Sequence, residues 1–262
     1  MEICLKVFDE NEKTVEVSHG EDEVSLMCTR EYREGDGFSI ETSEKNVYVW
    51  LQWDDALGKS LVYLTGNVTY RIPFGEKRIN LSPKAFSGNK HLLYARLARD
   101  YEIKAYRNLA LNVNDQHLES VNCYPHASAN VETRGESVFA AQNAIDGVVI
   151  NSSHGEWPYQ SWGINRQADA AMRIDFGRTV EADRIVLYTR ADFPHDSWWT
   201  EVTFTFSDGS TLIFSMEKSE LPHELTFEKK QITWVQISDM KKAPDISPFP
   251  ALSQMEVYGT DL

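Results

Sequence analysis

The stretch Glu201-Val-Thr-Phe-Thr-Phe-Ser-Asp208-Gly209-Ser-Thr-Leu-Ile-Phe-Ser-Met216 decides the fold class. Val202, Phe204 and Phe206 alternate with polar residues, and Leu212, Phe214 and Met216 resume the alternation on the return. A period of two puts each apolar set on one face of a strand, and Asp-Gly between two such runs is a tight-turn signal, because glycine takes the left-handed backbone at no steric cost. The reading is a β-hairpin with one buried face.

The same pattern recurs outward from this hairpin. Upstream, Met172, Ile174 and Phe176 alternate with Arg173 and Asp175, and Gly177 stops the run; Ile185, Leu187 and Thr189 alternate with Val186, Tyr188 and Arg190. Downstream come Leu225/Phe227, Val235/Ile237 and Met255/Val257. Seven or eight strands of this kind make a sandwich. Ser137 to Ile145 is the one clear short-helix candidate, ended by Asp146-Gly147.

The first part of the chain repeats the theme. Ile3, Leu5 and Val7 read as a short edge strand, followed by a charged, solvated stretch to Glu23. Val47, Val49 and Leu51 form another strand, Leu61–Leu64 and Val68–Ile72 flank Gly66-Asn67 as a second hairpin, and Tyr101–Tyr106 and Leu109–Val113 return to period two. Residues 112–122 are polar and weakly periodic, an interdomain linker with its boundary near residue 118. The expected architecture is therefore all-β: two β-sandwich domains, 1–118 and 119–262.

Bulk properties exclude several functions. The chain has 262 residues, 26 Lys+Arg and 40 Asp+Glu, for a net charge of −14. Residues 119–262 hold 11 Lys+Arg against 21 Asp+Glu, a net of −10. Such a surface repels phosphate backbones and anionic lipid, so neither nucleic acid nor a membrane is an expected partner, and it disfavours a strongly anionic glycan as well. Cys4, Cys28 and Cys123 are odd in number and lack C-x-x-C spacing, which argues against a zinc knuckle or a redox motif. Gly58-Lys59-Ser60 is no phosphate loop, because Trp53 stands where the partner glycine would be. The N-terminus has no basic segment followed by an apolar one, so the chain as written reads as cytoplasmic, or extracellular if an export signal has been removed.

Two loops carry the candidate chemistry. One holds His154, Trp157, Tyr159 and Trp162 among Gly155, Pro158 and Gly163; the other, from Arg190 to Trp199, holds Arg190, Asp192, His195, Asp196 and Trp198. Arg, Asp and His bond to hydroxyls, while a Trp or Tyr face covers the apolar side of a pyranose ring. Polar groups and aromatics on loops carried by a rigid sheet suit a binding surface. Of the adjacent pair, Trp199 is expected inward and Trp198 outward. The same carboxylates and histidines also allow a glycan hydrolase, zinc ligation by His154, His195 and Asp192 or Asp196, or a protein-interaction module.

The ordered motifs Asn143-Ala-Ile-Asp146-Gly147, Ile174-Asp175-Phe176-Gly177, Ile185-Val-Leu, Phe206-Ser-Asp208-Gly209, Trp234-Val-Gln-Ile237 and Met255-Glu-Val257-Tyr258-Gly259, with a Trp-bearing loop after the first, resemble the discoidin, or coagulation-factor type C, superfamily in its carbohydrate-binding branch. The resemblance covers residues 124–260. It implies a galactose-binding-like jelly roll that binds glycans through loops at one end without turnover, with Arg190 in the position of the family's sugar-binding arginine. It also implies a structural calcium near Asp146, with backbone carbonyls near Asn143, Val148 and Asn151 and the amide oxygen of Gln254 as further ligands. Gln254 stands where the family has a carboxylate, which removes a charge that helps hold the ion.

Overall fold

The computed structural model describes residues 1–117, 121–152, 155–191 and 196–262, with the backbone alone at Asp196. The expected boundary at 118 lies outside these residues. Antiparallel β-structure dominates, and among the described residues no helix is long and apolar enough to cross a membrane.

The first sandwich sets four strands, in the order Thr14–Glu21, Glu2–Phe8, Gly37–Thr42 and Val68–Arg71, against five, in the order Cys123–Tyr124, Ser60–Leu64, Val47–Gln52, His91–Leu97 and Glu23–Cys28. Ile3, Leu5, Phe38, Ile40, Val49, Leu51, Trp53 and Val62 fill the space between. Trp53 stacks on Phe38 at 5.6 Å. Three local readings are corrected. Glu2–Phe8 is an inner strand, and the solvated Thr14–Glu21 strand is the edge. The strands either side of Gly66-Asn67 join opposite sheets, so that turn is a corner between layers; Asn122 packs on it, its Nδ2 donating to the Asn67 carbonyl at 3.0 Å. Tyr101–Tyr106 is not a strand: Asp100–Ile103 forms one helical turn, held by the two-pronged Arg96–Glu102 pair at 2.8 and 3.0 Å.

The second sandwich is one long sheet that folds over itself, in the order Trp162–Gly163, Phe249–Asp261, Met172–Thr189, His223–Lys242, Trp199–Phe206 and Thr211–Ser215. The 18-residue Met172–Thr189 strand passes through Gly177 instead of stopping there; its register breaks between Asp175 and Val180, and the bend lets one strand serve both layers. Gly177 sits at φ +67, and a Cβ there would lie 2.4 Å from the Tyr124 ring. Only glycine meets both demands. The Asp208-Gly209 hairpin forms as read, with Gly209 at φ +82. The expected helix at Ser137–Ile145 is two 3₁₀ turns, Ser137–Phe139 and Ala141–Ile145, split by extended Ala140. Trp162, Phe176, Trp199, Phe204 and Phe206 are fully buried in this core, each contributing about 1.5–3 kcal/mol by leaving water.

The segment read as a linker is a packed seam. Arg107–Asn108 pairs with Tyr258-Gly259 of the second sandwich, and Leu109 and Ala110 join its core. The chain then turns back: Val113 N–H donates to Ser60 Oγ, and Asn114 Nδ2 donates to the Leu51 carbonyl. Cys123 enters the first core before the chain crosses for good. Asn112, Asn114 and Asp115 are buried. Asp115 accepts from His126 Nδ1 at 2.8 Å and from the Ala127 N–H at 2.9 Å. Polarity reads as loop in a one-dimensional sequence, yet polar side chains bury readily when each finds partners.

Candidate functional site

Arg190 follows the bent strand at its rim end, with its N–H bonded to the Ala251 carbonyl. The side chain is only 3% exposed. Nη1 donates to the Tyr159 carbonyl at 3.1 Å, and the guanidinium lies 4.2 Å over the Tyr159 ring. Tyr159 meets Phe139 edge to face at 6.0 Å. Arg190, Tyr159 and Phe139 form part of the wall of an open cavity of about 400 Å³. The sequence reading thus brought Arg190 and Tyr159 together.

The rest of that wall comes from residues the sequence reading did not single out. Arg134 lies 5.6 Å over Phe139 and holds Glu136 through two bonds of 2.5 and 2.7 Å. Arg166 lies 4.6 Å over Phe249, itself 43% exposed. Asn165 and Arg166 occupy the left-handed region at φ +49 and +59, and the Gln167 N–H donates to the Ile164 carbonyl at 2.9 Å. These are the marks of a type I′ turn, a conformation an arginine adopts at some cost. The Asn165 N–H donates to Thr133 Oγ1, tying this turn to the Arg134 loop. Phe249 did carry a sequence signal: an aromatic between Pro248 and Pro250 is hard to bury in a strand interior.

Other candidates have different roles. Trp162 is not a stacking surface: it is fully buried, pairs with Leu252 and donates its indole N–H to the Val131 carbonyl at 2.9 Å. Trp157 is 38% exposed but is not part of the cavity wall. Trp199 is buried and Trp198 half-buried, in the order expected. Asp196 pairs its backbone with Phe249 in a short parallel bridge. His154, Asp192 and His195 lie outside the described residues.

Calcium takes six to eight oxygens from carboxylates, carbonyls and waters, and of the side chains considered for it only Asp146 is anionic. Its two oxygens accept from the Val148 N–H at 2.7 Å and Gln160 Nε2 at 2.9 Å. Asn143 Oδ1 accepts from Asn80 across the seam at 3.0 Å, and Gln254 Oε1 accepts from the Gly147 N–H at 3.1 Å. Asn151 Nδ2 donates to Ser253 Oγ. Among the described residues no group of three or more His, Cys, Asp or Glu could hold a metal. Burial pushes Asp146 up to about 7, against the bonds from Gln160 and Val148 that favour its charged form.

The profile of a family described as a domain of unknown function (DUF7402) matches residues 122–258, just over half of the chain, and the chain belongs to that family. No curated protein matches it. Among solved structures, the chain is similar to the family 32 carbohydrate-binding module of C. perfringens NanJ in complex with galactose (18% identity, 50% of this chain, 91% of that one, TM-score 0.39). It is also similar to chitosan-binding module 1 of a Paenibacillus sp. IK-5 chitosanase/glucanase (20% identity, 58% and 99%, TM-score 0.39). A Streptococcus pneumoniae fucose binding module is similar as well (15% identity, 59% and 99%, TM-score 0.40).

Proposed function

We propose that the second sandwich binds a sugar in the cavity between Arg190 and Phe249, without turnover. The observation that carries this reading is a buried arginine beside partly exposed aromatic rings in one cavity wall. Arg190 is held by the Tyr159 carbonyl and ring, and Phe249 and Phe139 offer apolar faces beside it. A pyranose needs both, hydrogen bonds for its hydroxyls and an apolar face for its C–H side. The cavity suits one or two sugar rings in volume. Among the described residues its wall is built of arginines, aromatics and small polar or apolar groups, a composition that suits holding a sugar.

The test is a glycan array that includes galactose, fucose and chitosan fragments, with hits measured by calorimetry on wild type, Arg190→Lys and Phe249→Ala. Both variants should retain the fold and bind more weakly than wild type. Equal binding by all three proteins, or no binding by wild type, refutes the proposal.

A further inference from the structure

We infer that the sugar taken by this cavity carries an anionic group, a carboxylate or a sulfate ester, and that Arg166 reads it. The inference rests on the sugar-binding reading above and specifies its ligand class.

Three guanidinium groups, from Arg134, Arg166 and Arg190, stand around one cavity, and no Asp or Glu is among its described wall residues.

Each of the three guanidiniums lies over an aromatic ring: Arg134 over Phe139, Arg166 over Phe249 and Arg190 over Tyr159. Stacking covers a face of the planar group and leaves its edge N–H donors, the fork that matches the paired oxygens of a carboxylate or sulfate. Arg134 already spends its fork on Glu136. Arg166 is exposed, and among the described residues its guanidinium makes no ion pair or hydrogen bond. Its guanidinium lies over the Phe249 ring, and its backbone is held in a left-handed turn that costs free energy. A neutral hydroxyl donates as well as accepts, whereas the Arg166 guanidinium only donates.

A test uses matched pairs that differ only in charge: oligomers of galacturonate against galactose, glucuronate against glucose, and sulfated against unsulfated galactose. Calorimetry on wild type should give about tenfold tighter binding for the acidic member of at least one pair, and which pair responds separates carboxylate from sulfate. Arg166→Gln should bring the acidic-to-neutral ratio down to about one, and Arg166→Lys should retain an intermediate ratio. A wild-type ratio near one or below, or a ratio that Arg166→Gln leaves unchanged, overturns the inference while leaving sugar binding intact. Binding of no sugar, neutral or acidic, refutes the underlying reading as well.

Discussion

Removing the Asp261 carboxylate should destabilise the whole chain, because this one group ties the two sandwiches together. Its side chain is fully buried on the last strand. It accepts from Arg178 Nε at 2.5 Å, from Arg107 Nη2 and from the Tyr48 hydroxyl at 3.1 Å. Tyr48 belongs to the first sandwich, Arg178 to the second, and Arg107 to the segment that crosses between them. Arg178 is itself 7% exposed and lies over the Tyr48 and Tyr63 rings at 5.1 and 5.4 Å. Asp261→Ala therefore leaves a buried guanidinium without its counter-charge, which costs about 3–5 kcal/mol. For a chain of this size that corresponds to a fall in Tm of roughly 10 °C. Asp261→Asn keeps the shape and one acceptor, and should cost about half as much. The pH dependence has a definite sign. Burial works against the charged carboxylate, but Arg178 and Arg107 outweigh it and hold Asp261 below the usual range. A lowered carboxylate contributes stability above its unfolded pKa of about 3.9 and loses it as the pH falls further. Urea unfolding followed by tryptophan fluorescence should show the full penalty at pH 7 and a smaller one at pH 3. A loss below about 1 kcal/mol at pH 7, or one independent of pH, would refute the seam as a clamp.

Three further outcomes follow from the same coordinates. Phe249→Ala removes an exposed aromatic face from the cavity wall and should weaken sugar binding about tenfold, equivalent to about 1.4 kcal/mol, with Tm within 2 °C of wild type by calorimetry; unaltered affinity would take Phe249 out of the site. Asp146, raised to about 7 by burial, favours the folded state while protonated, so wild type should lose up to about 4 kcal/mol between pH 4 and pH 8 through this group. Asp146→Asn cannot titrate, and a Tm difference between the two proteins that stays constant with pH would contradict the assignment. Because the side-chain oxygens of Asp146, Asn143 and Gln254 already accept hydrogen bonds within the protein, millimolar calcium should raise the wild-type Tm at pH 8 by less than about 1 °C; a rise of several degrees would show that the ion is held.

The alternation of apolar residues was enough to read strands and all-β class, because side-chain direction along a strand is a local property. It also read the Asp208-Gly209 hairpin and the inward turn of Trp199, which depend on residues next to one another. Arg190 was legible as a rim residue because its strand ends there. What local pattern could not decide was partnership. Gly66-Asn67 carries the same turn signal whether the chain returns in one sheet or crosses to the other, and only the hydrogen bonds of Ser60–Leu64 and Val68–Arg71 with other strands settle it. Asn112, Asn114 and Asp115 look like linker until partners from both sandwiches surround them. Trp157 and Trp162 are equivalent as letters in a loop; the edge pairing with Leu252 turns one into core, and Arg134, Arg166 and Phe249 join Arg190 only because three loops distant in sequence end at the same rim. Local sequence settled the direction of each side chain along its own strand, while long-range pairing decided which side chains share a space.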